Sequence, residues 1–303
     1  MTVTLPRRKA TATKRRKQKL TVSQYANKYL ASRDVSAMYH NMLRAHVRCF
    51  IEWAGDIPIA AVNSDLVNEW LEALLETDLA ANTVRTYRNN FCAVWRDAYM
   101  AGFNNEPPLR VKPVKLPKQI VCCFTHEEIG KLILAARTRK GCLDNGVKRS
   151  DFWEALILAA YATGLRKGDL LRLKREQIGP DGKAVVIQGK TGYPAVVRIP
   201  PEALAIIDRM KTDCGRALPW PYRDDALTVR FRLIVKAAGV RPGSLRWLRR
   251  SAGSYAEKMQ PGSGKRLLGH RAEWVFRDHY HDLSVAPPET VEPPPMELPK
   301  IAS

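Results

Sequence analysis

The chain has 303 residues, 45% of them hydrophobic, enough for a sizeable core and, by length, for about two domains. Its 50 Lys and Arg against 30 Asp and Glu give a formal charge of +20, a field that favours polyanions, nucleic acid first and an acidic membrane surface second. No apolar run of about 18 residues is present to span a bilayer, and no N-terminal stretch reads as a signal peptide, so a soluble, cytoplasmic, nucleoid-associated protein without a membrane partner is expected. Six cysteines (Cys49, Cys92, Cys122, Cys123, Cys142 and Cys214) show neither C-x-x-C spacing nor zinc-finger pairing with His. They are expected to be free and mostly buried, with no structural metal and no disulfide framework.

Residues 1–19 carry eight positive charges between Arg7 and Lys19 and no apolar period, which reads as a disordered basic arm. From residue 20 to 103 four segments have apolar residues at three- and four-residue spacing: 21–33, 36–55, 63–76 and 82–102. Thr21, Ser36, Asn63 or Ser64, and Asn82 or Thr83 suit their N-caps, and Gly55 and Gly102 suit helix ends. Four helices in about 80 residues predict a small all-α domain. Residues 104–124 hold four prolines between 104 and 121 and no period, and read as an interdomain linker.

At Thr125 a second domain begins, to about residue 283. Thr125 and Glu128 form a capping box, with His126 on the surface of that first turn. SDFWEALILAAYATG reads as a buried helix ending at Gly164. Residues 184–199 hold two β-branched runs around a Gly-Lys-Thr-Gly-Tyr-Pro turn, a β-hairpin. Helical patterns follow in PPEALAIIDRM, LTVRFRLIVKAAG, SLRWLRRSAGSYAEKM and SGKRLLG. Residues 284–303 form a proline-rich, acidic tail expected to lack structure. The expected fold is mainly α with a small β-sheet.

Four segments of the second domain carry cations that helix and turn geometry can bring together. ATGLRKGDLL places Arg166 after a glycine break, with Asp169 three residues on. Lys190 sits at the hairpin tip. LRWLRRSAG puts Arg246 and Arg249 on one helical face. LLGHRAEWVFRDHY ends with His270 and Tyr280. Singly, these read as a surface ion pair, a solvated lysine, a non-specific basic patch and a packing tyrosine.

In this order the segments resemble the catalytic domain of the tyrosine recombinase (phage integrase) family. ATGLRKGDLL is similar to that family's first arginine box, GKTGYPAVVRIP to its lysine hairpin, LRWLRRSA to its His-x-x-Arg box, and LLGH with Tyr280 to its C-terminal segment. A helical (SAM-like) core-binding domain before an α+β catalytic domain completes the likeness, which covers most of residues 20–282. Two departures stand out. Arg246 occupies the usual His position, and arginine stays protonated, so it can hold a phosphate oxygen but cannot accept the phenol proton. Tyr280 follows His270 by ten residues, one more than expected.

The resemblance implies a site-specific recombinase that cuts and rejoins DNA through a 3′-phosphotyrosine. Tyr280 is then the nucleophile, and Arg166, Arg246, Arg249 and His270 clamp the phosphate. Lys190 delivers a proton, and Asp169 steers Arg166. The reaction needs no metal, cofactor or ATP, and the enzyme is expected as a homotetramer on double-stranded DNA. Arg85 and Arg88, three apart, and Arg44 and Arg48 are the expected DNA-binding residues of the helical domain. Two alternatives stay open: a DNA-binding protein of the same fold that has lost cleavage, and a type IB topoisomerase-like nicking-closing enzyme.

Overall fold

A computed structural model describes residues 19–117, 120–210, 212–270 and 272–286. The basic arm and nearly all of the acidic tail lie outside them. The chain divides into two compact units at residues 118–119.

The first unit is all-helical: α1 Val22–Ala31, α2 Ala37–Ala54, α3 Ser64–Leu75 and α4 Ala81–Met100. Thr21, Ser36 and Asn63 cap the first three through their side chains, as their residue types dictate. The fourth helix departs from expectation. It begins two residues early, at an Ala80 N-cap without a side-chain bond. Asn82 is already inside the first turn and accepts a hydrogen bond from Arg85 instead. The apolar faces meet in an aromatic core, where Phe50 packs edge-on to Trp70 at 5.2 Å and against Phe91 at 4.2 Å.

The proline-rich stretch is not a free tether over its first half. Val111 is buried in this core. The Asn104 amide donates to Ile59 O and Val62 O, and Glu106 accepts from Ser64. Arg88 donates to Lys112 O and Val111 O. Proline blocked a helix here, but the backbone carbonyls it left unpaired found partners on the neighbouring helices.

The second unit contains α5 His126–Arg137, α6 Arg149–Thr163, α7 Lys167–Arg172, β1 Lys183–Ile187, β2 Pro194–Arg198, α8 Pro201–Arg209, α9 Asp224–Ala238, α10 Leu245–Met259, α11 Ser263–Leu268 and α12 Glu273–His279. Helix α6, apolar on nearly every side, runs through its core. The strands pair antiparallel with Val185 opposite Val196. The Thr125–Glu128 capping box forms, and Arg241 grips Glu128 at 2.7 Å. The thiols are not mostly buried as expected: Cys92 and Cys123 are, but Cys49 and Cys122 are half-buried and Cys142 and Cys214 exposed. Among the described residues no helix is long and apolar enough to cross a membrane.

Helices α10 and α11 cross at backbone contact. A Cβ added to Gly264 would lie 2.4 Å from Gly253 O and 2.4 Å from the Phe276 ring. Gly264→Ala is therefore expected to destabilise this unit by about 1–3 kcal/mol, as overpacking does. A thermal melt that does not move would contradict that tight crossing. The same substitution pushes on Phe276, whose carbonyl accepts the Tyr280 N–H at 2.9 Å.

Candidate active site

Four elements of the second unit converge on the Tyr280 phenol. Helix α6 ends at Gly164 in the left-handed region, φ +59°, which lets the chain reverse and place Arg166 as the N-cap of α7. Helix α10 presents Arg246 and Arg249, one turn apart. The α11 C-cap Gly269, φ +63°, leads into His270. Helix α12 ends at Tyr280.

Both arginines of α10 lie with their guanidinium carbons 5.2 Å from the Tyr280 ring centre, and the His270 ring is 4.5 Å away. Burial alone would raise the phenol's pKa. Arg249 first, then Arg246 and Arg166, outweigh it and hold Tyr280 below its ordinary range. That is the electrostatic requirement for a phenol acting as a nucleophile near neutral pH.

Arg249 is 4% exposed. Its Nη1 donates to Gly164 O, and its Nη2 to Leu268 O at 2.8 Å and to His270 Nε2 at 3.1 Å. Its Nε is buried and has no protein partner among the described residues. Burial and then the Arg249 and Arg166 charges push His270 down to about 4, so its ring is neutral at neutral pH. A guanidinium can only donate, so Nε2 must be the acceptor and the ring proton sits on Nδ1. That Nδ1 is also buried without a partner among the described residues. Two buried donors without a hydrogen-bond partner among the described residues thus belong to the two side chains that lie beside the Tyr280 ring.

The Tyr280 segment is fastened at several points. Ser254 Oγ donates to Tyr280 O at 3.0 Å and accepts from Asp282 N at 2.9 Å. Asp282, itself buried, accepts the Cys123 N–H at 2.8 Å. Arg250 donates to His279 O and Cys122 O. Tyr255, the nearest rival phenol in sequence, instead stacks on His126 at 3.6 Å.

Arg166, Arg246, Arg249, His270 and Tyr280 are thus brought together. Lys190 is exposed in the turn between the strands, close enough for its charge to bear on His270. Asp169 needs correction. Although 3% exposed, it does not brace Arg166; it accepts from Arg172 at 2.6 Å and from Gly189 N at 2.9 Å. Being one helical turn after an N-cap, it faces the hairpin rather than the side chain that precedes the helix. Arg166 is held by Gln188, a residue that the sequence reading passed over.

In the first unit Arg44, Arg48 and Arg85 are exposed. Arg88 is only partly so, because its guanidinium is occupied by the carbonyls of residues 111 and 112. It serves the fold there and is withdrawn from the expected DNA-binding set.

No protein-family model matches the chain. The integrase of Mycobacterium phage D29 is 24% identical over 243 residues, covering 73% of this chain and 60% of that protein. The tyrosine recombinase XerA of Thermococcus kodakarensis is 26% identical over 151 residues, covering 50% of this chain and 47% of that one. The chain thus spans less than two thirds of the length of either. Among solved structures, a lambda integrase dimer bound to a COC′ core site superposes with TM-score 0.70 at 19% identity, over 90% of this chain and 80% of that one. A lambda integrase tetramer bound to a Holliday junction gives 0.69 at 19% identity, over 91% and 81%. A fragment of the Tn1549 transposon integrase in complex with circular intermediate DNA gives 0.63 at 14% identity, over 86% and 96%.

The fold is the one seen in lambda integrase and in the Tn1549 integrase. In sequence the chain is similar, at 24% and 26% identity, to a phage integrase and to a tyrosine recombinase.

Proposed function

We propose that this chain is a site-specific DNA recombinase that breaks and rejoins strands through a 3′-phosphotyrosine, with Tyr280 as its nucleophile. The observation that carries this reading is the convergence of Arg166, Arg246, Arg249 and neutral His270 on one partly buried phenol held below its ordinary pKa.

In this reading Tyr280 Oη attacks the scissile phosphorus, the bond to the 5′ oxygen breaks, and a 3′-phosphotyrosyl bond forms. The phenol proton passes to water, since Arg246 cannot take it. The leaving oxygen takes its proton from Lys190, whose place in a turn lets it reach a bound strand. The guanidinium groups of Arg166 and Arg249, with the His270 Nδ1 proton, meet the charge that grows on the non-bridging oxygens, where fixed donors act most strongly. Attack by the freed 5′ hydroxyl of a partner strand reverses the step and regenerates the phenol. The bond energy is kept throughout, so no ATP is consumed.

Arg44, Arg48 and Arg85 are the proposed backbone contacts of the helical unit, and binding should weaken steeply with salt. A homotetramer on the recombining DNA and association with the nucleoid belong to the same proposal, supported by the dimer and tetramer in which lambda integrase is seen on DNA.

The test is a trapping assay on nicked suicide duplexes drawn from the DNA flanking this chain's coding sequence. Wild type is expected to give SDS-resistant protein–DNA adducts and Tyr280→Phe none. Salt-sensitive binding with no adduct on any duplex would favour a DNA-binding protein of the same fold.

A further inference from the structure

We infer that Gln188 is the positioning residue that fixes Arg166 relative to Lys190 and His270, a role that rests on the recombinase reading above. Gln188 is 1% exposed although polar. It lies one residue past β1, on the inward side that Ala184 and Val186 share, where continued strand alternation would ordinarily place an apolar residue. Its side-chain Oε1 accepts from Arg166 Nη1. Its backbone closes the turn that carries Lys190: the N–H donates to Tyr193 O at 2.9 Å, and the carbonyl accepts from Thr191 N at 3.2 Å and Gly192 N at 2.8 Å.

The other face of the amide meets the His270 segment. A Cβ on Gly269 would lie 2.4 Å from Gln188 Nε2, so residue 269 has to be glycine for the amide to sit there, besides its positive φ. One residue on, Gly189 N donates to Asp169 Oδ1 at 2.9 Å, tying the hairpin to α7 a second time. One side chain therefore touches the first arginine, belongs to the lysine's turn, and packs on the residue before the histidine. An arginine whose value lies in fixed donor geometry needs such a partner, because its long side chain is otherwise free to leave.

The substitution for testing this is Gln188→Met, which keeps length and apolar burial but removes the acceptor. Gln188→Asn, which keeps an amide but withdraws it by one methylene, serves if the first variant fails to fold. Two readouts on the full chain are needed, besides thermal melts. The first is single-turnover adduct formation in a double-mutant cycle with Arg166→Ala. Loss of about 10- to 100-fold is expected from Gln188→Met alone, the scale of a small misplacement. In the Arg166→Ala background the same change should cost almost nothing, since the group it positions is gone.

The second readout is NMR titration of His270, which does not depend on activity. Burial first, then the Arg249 charge and after it the Arg166 charge, with His279 and Lys190 behind, hold that ring well below its ordinary pKa. Releasing Arg166 should move the His270 titration upward. Coupled losses and an upward shift support the proposal. Losses that multiply, with an unmoved His270, overturn it. Should wild type form no adduct at all, the recombinase reading fails, and the His270 titration still decides whether Gln188 fixes Arg166.

Discussion

Arg249→Ala is expected to lower the rate of adduct formation by about 100- to 1,000-fold or more while duplex affinity stays nearly unchanged. Arg249 lies beside the Tyr280 ring, and in the proposed mechanism its guanidinium meets both the phenol's charge and the phosphate's. It also holds Gly164 O and Leu268 O. Its removal orphans two carbonyls where α6 and α11 end, at about 1–3 kcal/mol for each. The melting temperature should therefore fall as well. Arg249→Lys separates the two effects. A single ammonium keeps the charge but cannot reproduce a planar fork that spans two carbonyls, an imidazole and a phosphate. Cleavage should remain deeply impaired even at temperatures where that variant is fully folded. An Arg249→Ala protein that folds and cleaves within 10-fold of wild type, roughly the size of one modest contact, would remove this residue from the site.

The second large effect concerns pH. Arg246 is exposed but lies over the Tyr280 ring, and its charge helps to hold the phenol below its ordinary pKa. A group held down in this way ionises earlier as pH rises. The cleavage rate should therefore climb with pH and level off below about pH 10, the ordinary tyrosine value. Arg246→Gln removes a cation, raises the phenol's pKa and moves that limb to higher pH. At neutral pH the loss should be roughly 10-fold, one pKa unit of lost phenolate, in addition to any lost phosphate contact. Arg246→Lys keeps the charge and should leave the limb where it is. Single-turnover rates across pH check this. A limb that does not move in Arg246→Gln would show that Arg246 plays no part in ionising Tyr280.

Much of this architecture was legible in the sequence because local physics and global fold agree. Side-chain caps at Thr21, Ser36, Asn63 and Thr125 sit where their residue types placed them, and the hairpin forms around the Gly-Lys-Thr-Gly turn. The spacing of three between Arg246 and Arg249 put both beside one phenol. What was missed is long-range. Sequence distance suggested that Asp169 braces Arg166, but α7 turns the carboxylate toward Gly189, 20 residues on. Arg88 resembled a groove-facing residue until the backbone at residues 111 and 112 proved to need its guanidinium. Gln188 did leave a signal, a polar residue in register with inward Ala184 and Val186, though period alone names no partner 22 positions away. Ser254, Arg250 and Asp282, which fasten the tyrosine segment, left none.

The central claim is that one phenol forms the covalent link. Digesting the wild-type adduct with protease and nuclease, and reading the nucleotide-bearing peptide by mass spectrometry, tests it most directly. A 3′-phosphonucleotide on Tyr280 is the expected result. A nucleotide on Tyr255, or on any side chain other than Tyr280, would contradict the account, because the arginines converge on Tyr280 while Tyr255 stacks on His126.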